Sequence, residues 1–149
     1  MTTLLQKFWP SLAAAFAIVL VISAGCSTTA AGTNEGIKVK LAGDQEVPPV
    51  KTAASGSGTI VISSDKSVSG SITTSDVEGT AAHIHEGAAG KNGPVIIPLT
   101  KGPDNTWSVA AGAKLTDAQY ASYLAGNLYV NVHSAVNKGG EIRGQLNPK

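Results

Sequence analysis

Apolar and charged residues alternate with a period of two in Ile37-Lys-Val-Lys-Leu41, and short segments that read as strands recur along the rest of the chain. A strand turns successive side chains to opposite faces, so such a segment buries one face and leaves the other for solvent or for chemistry. Gly58-Thr-Ile-Val-Ile-Ser63 and Val68-Ser-Gly-Ser-Ile-Thr73 flank Ser64-Asp-Lys-Ser67, whose residue types suit a hairpin turn. Further strands are expected over residues 81–86, 94–99, 107–109, 128–133 and 141–146. The prolines that bracket Pro94-Val-Ile-Ile-Pro-Leu99 favour an edge position or a strand start for that segment.

One stretch breaks the pattern. Thr116-Asp-Ala-Gln119 is a capping box, with Thr116 as N-cap and Gln119 reaching back. Leu115 and Tyr120 stand where a hydrophobic staple belongs, and Gly126 supplies a left-handed stop. The expected fold is therefore all-β: an antiparallel β-sandwich or flattened Greek-key barrel with one short helix.

At 149 residues the chain has room for one domain, and its first part is not that domain. An apolar run over residues 12–22 has the length of a signal-peptide core and is short for a membrane span. It leads into Ser23-Ala-Gly-Cys26, which resembles the lipobox of a bacterial lipoprotein, although Ser23 stands where a leucine is usual. That resemblance implies cleavage before Cys26 and its lipidation; an ordinary secretory signal is the alternative. The expected organisation is a signal peptide over residues 1–25, a flexible tether over 26–35 and a domain over 36–149. Ser27 is not the aspartate that in many lipoproteins signals inner-membrane retention. The expected location is thus the bacterial cell envelope, at the outer membrane, or the cell surface where no outer membrane exists. A single cysteine excludes an internal disulfide and a thiolate zinc site.

The histidines carry the chemical question. His83 and His85, in Ala82-His-Ile-His-Glu-Gly87, are two residues apart and share a strand face. His133 shares a face with Tyr129 and Asn131, while Leu128, Val130 and Val132 take the other. Ile142 and Leu146 alternate with Glu141, Arg143 and Gln145. If the apolar set faces the core, the histidines, Glu141 and Arg143 lie outside it, under loops such as the glycine-rich residues 87–93. Three imidazoles suit copper or zinc, and the lack of a nearby methionine or free cysteine argues against a blue-copper site. Water, Glu86 or Glu141 is a candidate fourth ligand, or Glu141 orients an imidazole from behind. Arg143 would attract an anion, or pair with Glu141 or Glu86. The structural alternative has the histidines bonded to loop backbone and His133 paired with Glu141.

Other chemistries find little support. The net charge of +1 carries no basic stripe, which argues against a nucleic-acid partner. Gly87-Ala-Ala-Gly90 lacks the strand-to-helix setting of a phosphate loop, and no serine sits in a nucleophile elbow. Trp107, Tyr120 and Tyr123 read as packing residues. Asp44, Glu46 and Pro48-Pro49 read as shaping the entry loop.

Leu41-Ala-Gly-Asp-Gln-Glu-Val-Pro-Pro-Val50, Ala82-His-Ile-His-Glu-Gly87 with Asn92-Gly-Pro-Val95, Tyr129-Val-Asn-Val-His133 and Gly139-Gly-Glu-Ile-Arg-Gly-Gln-Leu146 together resemble the CHRD domain. The resemblance covers nearly all of residues 37–147 and fixes no activity. A second likeness is to the copper site of Cu/Zn superoxide dismutases, which carry a His-x-His strand, a later strand histidine and a downstream arginine. His83, His85, His133 and Arg143 occur in that order. No bridging histidine, zinc cluster or cysteine pair accompanies them, so the likeness implies at most a mononuclear site. The expectation is a lipid-anchored binding module with a copper or zinc site at His83, His85 and His133. The alternatives are a metal-free module with a protein partner and a copper-dependent redox enzyme.

Overall fold

The computed structural model describes residues 35–148, so the expected signal segment, Cys26 and nearly all of the tether lie outside the described residues. Eight strands form in chain order: β1 (Ile37–Ala42), β2 (Ser55–Ile62), β3 (Val68–Ser75), β4 (Gly79–Glu86), β5 (Val95–Lys101), β6 (Thr106–Val109), β7 (Leu128–Ser134) and β8 (Ile142–Leu146), with helix α1 (Asp117–Leu124) between β6 and β7. They close into a barrel in the order β1-β2-β3-β6-β5-β4-β7-β8, and Ala42 of β1 pairs with Arg143 of β8 to complete the ring. Every pairing is antiparallel. The β3–β4 connection passes over β6 and β5, and the β6–β7 connection, which carries the helix, passes over β5 and β4. Of the two expected arrangements, the closed barrel is the one formed.

Of the two positions the prolines favoured, the strand start is the one formed, since Pro94 directly precedes β5. The segment is not an edge: β5 lies between β4 and β6, because a closed barrel leaves no edge strand. Pro98 sits opposite His83, and the register shift in this pairing comes further along, between Ile84 and His85.

The barrel interior is filled by side chains from every strand, as eight strands allow. Ile60, Ile72, Ile84, Leu128, Val130, Val132, Ile142 and Leu146 are fully buried there. Trp107 and Tyr123 are buried among them, and Tyr120 packs against the cluster, so the aromatic residues do serve as packing. The helix begins as its sequence dictates. The Gln119 N–H donates to Thr116 Oγ1 at 3.2 Å, and the Thr116 N–H donates to Gln119 Oε1 at 2.9 Å. It ends where Gly126 takes a φ of +74°, with Asn127 N–H on Ser122 O and Gly126 N–H on Tyr123 O.

Candidate metal centre

The barrel's outer face across β4, β7 and β8 is polar but not wet. Register sets the rows: His83 opposes Asn131, which opposes Arg143; His85 opposes Tyr129, which opposes Gln145; Ala81 opposes His133. The apolar residues between them, Ile84, Val130, Val132 and Ile142, point into the core. Tyr129 and Asn131 are each only 2% exposed, Arg143 is 1% exposed, and His85 is buried as well.

Loops supply the cover. Gln145 Nε2 donates to Gly87 O at 3.0 Å, and the Gly93 N–H donates to the Tyr129 hydroxyl at 3.2 Å. Asn92 Nδ2 donates to Val47 O at 2.7 Å, joining the glycine-rich loop to the entry loop. Gly93 must be glycine for this closure, since a Cβ there would stand 1.6 Å from Glu86 O. Gly140 has φ +139°, and a Cβ on it would meet Glu46 Oε1 at 2.4 Å and Asn131 Nδ2 at 2.6 Å.

The three histidines converge under this cover. Their ring centroids lie 5.5 Å (His83–His85), 4.9 Å (His83–His133) and 6.0 Å (His85–His133) apart. One ring nitrogen from each falls within 4.8 Å of the others. Bonds of about 2.0–2.1 Å to zinc would hold ligand nitrogens about 3–4 Å apart, so the rings need only small rotations to converge on one ion.

Backbone carbonyls fix two of the tautomers. His85 Nδ1 faces Gly93 O at 3.0 Å, and His133 Nδ1 faces Lys138 O at 2.9 Å. A carbonyl accepts only, so both Nδ1 atoms carry hydrogen and both Nε2 atoms present lone pairs when the rings are neutral. This is the usual way a ligand imidazole is oriented. His83 Nδ1 lies 3.0 Å from His133 Nε2 and can donate to it. His85 Nε2 is buried with no hydrogen-bond partner. An orphaned buried acceptor is costly, and an ion among the three rings would satisfy it. Burial, reinforced by the neighbouring imidazoles, lowers the pKa of His83. Burial also lowers that of His133, against the opposing hydrogen bond to Lys138. Both therefore stay neutral, as ligands must, to lower pH than a free histidine.

The acidic residues go elsewhere. Glu141 accepts from Thr52 Oγ1 at 2.8 Å, and hydrogen bonds from Ser134, Thr52 and Asn137 hold its carboxyl below the usual range. Glu86 accepts from Ser122 Oγ on the helix. The place behind His133 that Glu141 was expected to take belongs to Lys138 O. Arg143 pairs with neither acid; its guanidinium lies 3.4 Å from the Tyr129 ring centroid. His85 stacks on the same ring at 4.8 Å with an interplanar angle of 8°, and β7, which carries that ring, runs between β4 and β8.

Glu46 is the residue that sequence reasoning placed only as loop framework. It is 4% exposed, with Oε1 unpartnered, beside Asn131 and Gly140. Burial raises its pKa, and the Arg143 charge opposes that rise. A glutamate among polar and proline residues carries no sequence signal for burial; only the fold of the loop reveals it.

A family model for the CHRD domain matches residues 24–146. The chain belongs to the CHRD domain family. The match to this CHRD protein spans every strand of the barrel, so the histidine face is part of the family domain. No curated protein and no solved structure matches the chain.

Proposed function

We propose that this CHRD protein is a lipid-anchored envelope binding module whose working chemistry is a mononuclear copper or zinc site at His83, His85 and His133. The observation that carries the reading is the convergence of one nitrogen from each ring within 4.8 Å, with His85 Nε2 buried and unpartnered. Two imidazole–carbonyl hydrogen bonds favour it further, since they present Nε2 of His85 and His133 as lone pairs. A bound ion would polarise whatever occupied its remaining position. The protein's share is to hold three neutral rings together, His85 buried and His83 and His133 half-buried beside it. Anchoring rests on Ser23-Ala-Gly-Cys26 after the apolar run.

A metal-free module with a protein partner is the second reading. The direct His83–His133 contact of 3.0 Å favours it, because those two rings satisfy each other without an ion. It leaves His85 Nε2 orphaned, which is why the metal reading is preferred.

Calorimetry of the full-length protein with Zn(II) and Cu(II) tests the choice. The metal reading expects one ion per chain and affinity that falls with pH as the rings protonate. Heats no larger than those of dilution would leave the interaction module. Cys26→Ala should block fatty-acid labelling; a wild-type protein recovered lipid-free from the medium would end the anchoring claim.

A further inference from the structure

The three rings of the histidine face are not equivalent. His85 and His133 are each anchored through Nδ1 to a backbone carbonyl, Gly93 O at 3.0 Å and Lys138 O at 2.9 Å. His85 is held further by the Tyr129 ring stacked on it, whose hydroxyl accepts from the Gly93 N–H. His83 is bonded through Nδ1 to another ring, His133 Nε2 at 3.0 Å, rather than to backbone. It is half-buried, where His85 is buried. The donor and acceptor roles of neutral rings follow from these partners. Lys138 O fixes hydrogen on His133 Nδ1, so His133 Nε2 carries a lone pair and only accepts. The hydrogen between the two rings therefore sits on His83 Nδ1, and His83 Nε2 carries the lone pair. The two nitrogens of an imidazole point in diverging directions, so Nδ1 is the His83 atom that faces His133. Their 3.0 Å separation is close to what one ion imposes on two ligand nitrogens, about 3–4 Å.

We infer that His83 is the switching ligand of this site. An ion binds it through Nδ1, with His85 and His133 through Nε2, and loading moves the His83 proton from Nδ1 to Nε2. The inference rests on the metal reading and adds to it the donor atoms and the form of the empty site. On loading, the Nδ1–H bond breaks and a metal–Nδ1 bond takes its place. Water carries that proton to Nε2, so the ring stays neutral, as a ligand must, and no electron is transferred. The empty site is latched by the His83–His133 hydrogen bond, which the ion must displace. His83 Nε2, an acceptor while the site is empty, becomes a donor once it is filled.

Nitrogen NMR of the full-length protein, its histidines labelled with nitrogen-15, reads these states directly, since the chain has only three histidines. The spectra are taken at about pH 8, above the ordinary histidine pKa of about 6.5. In chelator, all three rings should carry hydrogen on Nδ1 and a lone pair on Nε2. One equivalent of Zn(II) should reverse His83 alone. His85 and His133 should keep their Nδ1 hydrogens while their Nε2 resonances shift. His133→Ala in chelator should release His83 into a mixture of both tautomers, and a single retained tautomer there would overturn the latch. Should that variant fail to fold, the wild-type spectra decide. A metal-free His83 protonated on Nε2 would overturn the inference. So would a zinc-loaded His83 that keeps its Nδ1 hydrogen and binds through Nε2, a result that leaves the metal reading standing. Three rings unmoved by zinc would end both, a pattern distinct from failure of the donor assignment alone.

Discussion

Strands β3 and β7 obey the same period of two and end in different surroundings. On β3, Val68 and Ile72 are buried while Ser69, Thr73 and Ser75 on the opposite side are exposed. On β7, Leu128, Val130 and Val132 fill the barrel, yet Tyr129 and Asn131 on the opposite side are buried too. The difference lies in what covers the outer face. Over β7 the loops at 43–50, 87–93 and 135–140 close down, held by bonds such as Asn92 Nδ2 to Val47 O and Gln145 Nε2 to Gly87 O. A polar face under cover must satisfy its groups internally, and where it does not, a ligand is the natural partner. Two of the orphaned groups here, His85 Nε2 and Asn131 Oδ1, belong to the β4–β7 pair, and a third, Glu46 Oε1, comes from the entry loop beside Asn131.

That contrast can be broken by mutation. The core shared by both strands should show the largest effect: Ile84→Ala should cost about 2–5 kcal/mol in denaturant unfolding, since a fully buried side chain leaves a cavity. Outer-face substitutions should then separate the two strands. Asn131→Ala should cost about 1–3 kcal/mol, whereas Thr73→Ala should stay within about 0.5 kcal/mol. Equal costs at Asn131 and Thr73 would mean that the loops do not seal the β7 face. The helix cap is a smaller, local effect: Thr116→Ala should lower stability by about 1 kcal/mol through loss of the bond to the Gln119 N–H.

The pH dependence of the covered face has two opposing parts. His83 and His133 have folded pKa values below the ordinary 6.5, so the metal-free protein keeps their full contribution above that pH. The contribution is lost as pH falls from 6.5 through the lowered folded values. Glu46 runs the other way. Its raised pKa makes the neutral acid the favoured buried form, so its contribution is full below 4.5 and is lost as pH rises through the folded value. Glu46→Gln should therefore raise the melting temperature at neutral pH and leave it nearly unchanged below 4.5. A gain of the same size at both pH values would show that charge burial is not the cause.

Much of this was legible before any coordinates. The capping box, the Gly126 stop and the strand alternation are local signals, and each formed as the sequence dictates. The shared face of His83 and His85 follows from strand period alone, and the apolar partition of β7 placed His133 outside the core. Three things were not local. Whether β4 and β7 are neighbours is a matter of topology, and without that pairing the third histidine has no place. The pairing of Arg143 with Glu141 or Glu86, one of the alternatives, was suggested by opposite charges on one face and does not form. The fold instead gives each acid a hydroxyl and gives the arginine a tyrosine ring. Glu46 stayed hidden because burial of an entry-loop residue depends on β1, β7 and β8 converging beneath it.

The central claim is that three imidazoles on this covered face hold one metal ion. Electron paramagnetic resonance of the full-length protein with one equivalent of Cu(II) tests it most directly. Nitrogen couplings from three imidazoles are expected in the wild-type protein, two after His133→Ala, and a changed, weakly bound signal after His83→Ala/His85→Ala. An unaltered spectrum and affinity in that double variant would contradict the account, because the copper would then sit elsewhere on the chain.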